Sequence, residues 1–156
     1  MRYTLIFFVM LIFPVLAAAQ SVAPRDGWVV IDTGKDHATL LKDLMSAVTA
    51  NSMAVVTQAG PTDTAKSRGI TIPENRVIGV FNNEFAVNIL ALSTAAMIEA
   101  PIRFYVTENT DGTATLSYKT PGFVFAPYLD EGGKRLAGLA AQLDAIFETI
   151  ARSATR

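Results

Sequence analysis

Between residues 27 and 156 the chain alternates between a hydrophobic period of two and one near 3.6, and each change marks an element. GWVVIDT (27–33) is a β-rich run. DHATLLKDLMSAVTAN (36–51) then places Leu41, Leu44 and Val48 on one helical stripe, with Lys42, Asp43 and Ser46 outside it. Asp36 suits the N-cap of this helix and Asn51 its stop. SMAVVTQA (52–59) returns to extended structure, and Gly60-Pro61 breaks it. TDTAKSRG (62–69) predicts a short helix capped by Thr62 or Asp63 and ended by Gly69.

RVIGVFN (76–82) alternates Val77, Gly79 and Phe81 with Arg76, Ile78 and Val80, so both faces of this strand are expected to be covered. A helix is predicted from Glu84 to Ile98, with Phe85, Ile89, Leu92 and Ala96 on one stripe. PIRFYVTE and TATLSYK surround Asn109-Thr110-Asp111-Gly112, the clearest hairpin in the chain, because the Asp-Gly pair supplies its turn. Ile102, Phe104 and Val106 form one phase of it, and Arg103, Tyr105 and Thr107 the other. TPGFVFAPY (120–128) reads as a Pro- and aromatic-rich loop. A last helix is predicted over 133–151, with Leu136, Leu139, Leu143, Ile146 and Ile150 facing inward. The order predicts an α+β fold: a mixed, largely antiparallel sheet of about five strands with helices packed on one face. An uncovered second face would be a surface for a partner.

The first nineteen residues stand apart from this pattern. Arg2, an apolar run from Leu5 to Leu16 and the small residues Ala17 and Ala19 read as a secretory signal peptide cleaved after Ala19. The apolar core is shorter than the roughly 20 residues that span a bilayer, and Pro14 interrupts it. Residues 20–156 are then expected to form a single domain, periplasmic or secreted, with no membrane anchor after cleavage. The absence of cysteine excludes disulfides, thiolate metal sites and a Cys nucleophile. With 13 basic against 14 acidic residues and no run of like charge, nucleic acid is not an expected partner.

Candidate chemistry concentrates at three places. At Asn82-Asn83, with Glu84 next, asparagine can cap a helix, which explains the junction without a ligand; the amides and dipole at a helix N-terminus also attract anions. Arg103, Tyr105 and Lys119 lie on the outward phase of the hairpin, either as a solvated sheet surface or as a polar binding patch that a second subunit completes; Tyr118 closes the hairpin. Phe123, Phe125 and Tyr128 either fold back over the core or form the lip of an apolar pocket or a dimer contact. His37 is the single histidine, so a His-rich metal site is excluded, and its place in a first helical turn predicts a solvated side chain. No metal and no cofactor are expected.

VIGVFNNEFAVNIL followed by IEAPIRFYVTENTDGTATLSYKTPGFVFAPY resembles the domain of unknown function family 302. The matching residues are Phe81, Asn82 and Asn83 for a strand-to-helix turn, Pro101, Ile102 and Arg103 for a strand start, Asp111 and Gly112 for the hairpin, and Ser117, Tyr118 and Pro121 for its end. The resemblance covers about residues 27–128. It implies a small α+β fold like that of the TATA-binding protein, usually homodimeric, with no established activity. Many members carry an Asp-His pair where this chain has Gly60-Pro61, which removes the family's metal or acid-base candidate. The family's Asn-Pro turn is Asn82-Asn83 here, and the Pro-Cys variant of some relatives is Pro101-Ile102.

The leading expectation is a non-catalytic secreted binding or interaction module, homodimeric, with a small apolar or anionic ligand. The alternative is a cofactor-free, hydrolase-like enzyme using Glu84, Tyr105, Tyr118 or His37 as acid-base groups, which requires those side chains to meet in one pocket. A structural envelope protein is a third reading.

Overall fold

The structure, a computed structural model, describes residues 22–156; the expected signal peptide (1–19) and its cleavage after Ala19 lie outside them. In chain order the elements are β1 (Trp28–Asp32), α1 (His37–Ala50), β2 (Ala54–Ala59), α2 (Thr62–Ser67), β3 (Asn75–Phe81) and α3 (Asn83–Leu92). A 3-10 turn (Ala95–Glu99) leads to β4 (Ile102–Glu108) and β5 (Ala114–Lys119), then α4 (Pro121–Phe125), a second 3-10 turn (Ala126–Tyr128) and α5 (Leu129–Thr155). A cis peptide joins Ala100 to Pro101 just before β4.

The strands form one five-stranded sheet in the order β1-β5-β4-β3-β2, with helices on one side. This is the expected α+β architecture, with one refinement: every ladder is antiparallel, so the sheet contains no parallel pair. β1 and β2 lie at opposite edges, and α1 connects them across the helix face, where it packs against α5. The inner face carries the row Val29–Tyr118–Phe104–Ile78. Phe104 stacks on Phe147 of α5 at 4.6 Å between ring centres, and Tyr118 is tilted against both. This aromatic cluster fixes α5 to β4, the middle strand, and to its neighbour β5.

α1 begins at Asp36, whose carboxylate accepts from the Thr39 amide at 2.8 Å, and ends at Asn51, as the sequence predicts. Its inward stripe is Leu40, Leu44, Ala47 and Val48, with Leu41 at the margin. His37 lies three residues before Leu40 and therefore shares that face. It is buried rather than solvated, which corrects the sequence reading. α2 is preceded by Pro61 and has no side-chain cap, so neither Thr62 nor Asp63 plays that part; Asp63 instead pairs with Arg76 on β3. On β3, Ile78, Gly79 and Val80 are buried, which agrees with two covered faces over its centre. β2 carries a bulge between Val55 and Thr57, which protects an edge strand from pairing further.

Three other expectations change. α3 stops at Leu92, because Ser93 is extended and its hydroxyl accepts the Ala96 amide at 3.0 Å, so a new 3-10 turn starts there. Ser93 also donates to Glu131 on α5, and Ile98 ends up exposed. TPGFVFAPY is helical rather than a loop: Thr120 caps α4 by accepting from the Phe123 amide, and Pro121 occupies the first turn, where its missing N–H costs nothing. Asp144 of α5 accepts the Gly122 amide at 2.9 Å and ties α4 to the long helix. α5 starts at Leu129 and breaks direction at Gly133 (φ 56°), and Phe147 joins Leu136, Leu143 and Ile150 inside while Leu139 and Ile146 sit at the edge.

Candidate functional site

On the side of the sheet away from the helices, the register sets two rows of side chains across the strands. One runs Val30–Ser117–Tyr105–Val77 from β1 to β3. Next to it, Trp28 faces Lys119, and Arg103 faces Gly79. Directly opposed residues share a face of the sheet, so these groups are neighbours by construction. All of these except Val30 and Gly79 line, together with Glu99 of the first 3-10 turn and Val124 of α4, a pocket of about 340 Å³. Its walls are the rings of Trp28 and Tyr105, and Arg103 and Lys119 stand exposed at the rim.

Gly79 shapes the neighbouring surface. A Cβ there would lie 2.1 Å from Thr57 Oγ1 and 2.8 Å from Pro101 Cγ, so the bare backbone lets Thr57 and Pro101 close over it.

Ser117 lies on the floor of this pocket and is fully buried, yet its hydroxyl has no hydrogen-bond partner among the described residues. A buried hydroxyl without a partner costs about 1–3 kcal/mol, and a water, an ion or a ligand polar group at the base of the pocket would supply the missing partner. Two cations stand beside the Trp28 ring, of which Lys119 lines the pocket and Arg25 does not. Lys119 Nζ lies 5.8 Å from the centre of the Trp28 ring, and the Arg25 guanidinium lies 5.0 Å from it, both within cation–π range. The acid on the lining is Glu99, which accepts the Tyr128 hydroxyl at 2.8 Å; that bond to a carboxylate holds the Tyr128 phenol above its ordinary range. Tyr118 also borders the pocket from the core side. Burial, reinforced by the negative charges of Glu148 and Asp144 and opposed by Arg152, pushes it up to about 12. A phenol so placed stays protonated at neutral pH and is a poor general base.

A family model described as domain of unknown function DUF302 matches residues 29–150. The chain belongs to the DUF302 family. Among solved structures, the uncharacterized conserved protein DUF302 from Bacillus stearothermophilus is similar, with a TM-score of 0.73 at 15% identity. That match covers 85% of this chain and 100% of the other. No curated protein matches.

Within this DUF302 domain, the residues singled out from the sequence separate into distinct places. Arg103, Tyr105 and Tyr118 meet at the pocket, and Tyr128 reaches it through Glu99. Asn82 caps α3: its Oδ1 accepts from the Glu84 amide at 2.9 Å and the Phe85 amide at 3.2 Å, while its Nδ2 donates to the Ser52 carbonyl at 3.0 Å. Both polar atoms of Asn82 are thus engaged by the protein. Asn83 and Glu84 are exposed in the first turn of α3, away from the pocket lining. Phe125 belongs to the core, whereas Phe123 is half exposed and lies over Gly27, so these two do not form a common lip. Glu84 and His37 lie outside the pocket, so the four acid-base candidates are not assembled.

Trp28, Ser117 and Glu99 are not among the candidate site residues of the sequence, where Ser117 counts only as a family match at the end of the hairpin. Ser117 was legible in principle, since it shares the outward phase with Lys119, but its burial depends on Val30 and Tyr105 from neighbouring strands. Among the described residues no group of three or more His, Cys, Asp or Glu could hold a metal ion, and no helix is long and apolar enough to cross a membrane.

Proposed function

We propose that this chain is an exported, non-catalytic binding module that holds a small ligand in the pocket on the open face of its sheet. The observation that carries the reading is Ser117: a fully buried hydroxyl, unpartnered among the described residues, at the base of a pocket walled by Trp28 and Tyr105 and rimmed by Arg103 and Lys119. Apolar walls with a few convergent polar groups are what small-molecule sites provide, and a volume near 340 Å³ falls at the small end of the usual range of about 300–1,000 Å³. The scatter of Glu84 and His37 and the high value of Tyr118 favour binding over acid-base catalysis.

Export rests on the pattern of residues 1–19, a basic start, a short apolar run and small residues before Gln20. A homodimer is part of the proposal: the helices leave one sheet face uncovered, and a second copy there would close the open side of the pocket.

Native mass spectrometry of protein exported and purified without refolding tests the whole reading. The expected result is a dimer of chains starting at Gln20 that retains a small extra mass, which Tyr105→Ala loses. Bare chains with no retained mass in either protein would contradict it.

A further inference from the structure

We propose that the ligand of this pocket is a singly charged aromatic carboxylate, an inference that rests on the binding reading above and specifies its chemistry. The charges on the lining decide the first part. Arg103 and Lys119 supply two positive groups and Glu99 one negative group, which leaves an excess of one. A single anionic group balances that excess, whereas a doubly charged phosphate ester would stand against the Glu99 carboxylate.

The donors decide the second part. A guanidinium presents paired N–H groups that match the two oxygens of a carboxylate, and the Ser117 hydroxyl adds a donor with no competing partner among the described residues. Ser117 precedes Lys119 by two positions on β5 and therefore faces the same way, so hydroxyl and ammonium serve one side of the pocket.

The walls decide the third. Trp28 is the single tryptophan, and its ring already lies beside Lys119 through their direct pairing, so an aromatic surface and a cation are adjacent before any ligand arrives. Tyr105 and Val77 continue the apolar surface across β4 and β3. A flat hydrophobic body ending in one carboxylate satisfies all of these groups at once.

Isothermal titration calorimetry of the exported protein, dialysed until it carries no retained mass, with naphthoate, naphthamide and naphthyl phosphate tests this, because the three share a body and differ in head group. Naphthoate is expected to bind about tenfold or more tightly than either of the others, as charge-assisted hydrogen bonds require. It should also change the Trp28 emission. Arg103→Gln and Lys119→Gln alter exposed side chains and should narrow the gap between naphthoate and naphthamide.

Equal binding of naphthoate and naphthamide would overturn the carboxylate assignment and leave the pocket reading standing. Tighter binding of naphthyl phosphate would overturn the single-charge argument. Failure of all three, in protein that was purified with a native mass and then freed of it, would overturn the aromatic carboxylate class alone. The same failure in protein purified with no retained mass would remove the binding reading as well.

Discussion

Replacing Asn82 by alanine removes three hydrogen bonds from the β3–α3 junction: the Glu84 and Phe85 amides lose their acceptor, and the Ser52 carbonyl loses its donor. Loss of an N-cap side chain costs about 1 kcal/mol, within a range of about 0.5–2. The bond to Ser52 is exposed and contributes roughly 0.5–1 kcal/mol more. Asn82→Ala should therefore lose about 1.5–2 kcal/mol, or about 3–8 °C in Tm for a domain of this size. Asn82→Asp keeps the cap, adds a favourable charge at the helix N-terminus and loses only the Ser52 tie, so it should stay within about 1 kcal/mol of the parent. Asn82→Ser, a shorter cap without the amide donor, should fall between the two. Urea titrations followed by circular dichroism measure all three, with unchanged slopes as the sign that the same surface unfolds. If Asn82→Ala were as stable as the parent but no longer retained the native mass, the capping account would be refuted in favour of a ligand role.

Three further outcomes follow from the same geometry. Phe147→Ala removes the ring that stacks on Phe104 at the centre of the core and should cost about 3–5 kcal/mol in urea unfolding; a loss below 1 would contradict the packing described. Gly79→Ala places a methyl group against Thr57 and the rigid ring of Pro101 and should cost about 1–3 kcal/mol in the same titration, and an unchanged stability would contradict the close approach described. The Tyr118 value, raised from 10.0 to about 12 by burial first and by Glu148 and Asp144 next, gives a stabilising contribution that is whole below pH 10 and is lost as the pH rises toward 12, because unfolded chains release this proton first. Tyr118→Phe should therefore flatten the alkaline loss of stability in a difference curve against the parent, and parallel curves would contradict the shift.

The fold was readable from the sequence wherever a local signal decides the local structure. Asp36 and Asn51 bound α1 as expected, and Asp111-Gly112 turns the β4–β5 hairpin, with Gly112 at φ 83°. The misreadings arose where one local signal outweighed another. Thr120-Pro121 is a helix start, but the aromatic and Pro content of 120–128 suggested a loop. The apolar periodicity after Leu92 suggested a longer α3, but the Ser93 hydroxyl captures the Ala96 amide and ends it.

The antiparallel pairing of β1 with β5 is a different case. It joins residues some ninety positions apart, such as Trp28 and Lys119, and no local pattern encodes it. That pairing builds the pocket: without β1 beside β5 there is no Trp28 wall and no Val30 to bury Ser117. Arg103, Tyr105 and Lys119 could be placed on one face from the hairpin alone, whereas the unpartnered hydroxyl required the assembled sheet.

The most direct test of the account is a crystal structure of the exported protein purified without refolding. The account predicts a small molecule between Trp28 and Tyr105, with an acceptor within hydrogen-bonding distance of Ser117 Oγ and of the Arg103 guanidinium. A Ser117 hydroxyl bonded to a side chain of a second copy, with that copy filling the space between the two rings, would contradict it and make the sheet face an assembly surface instead.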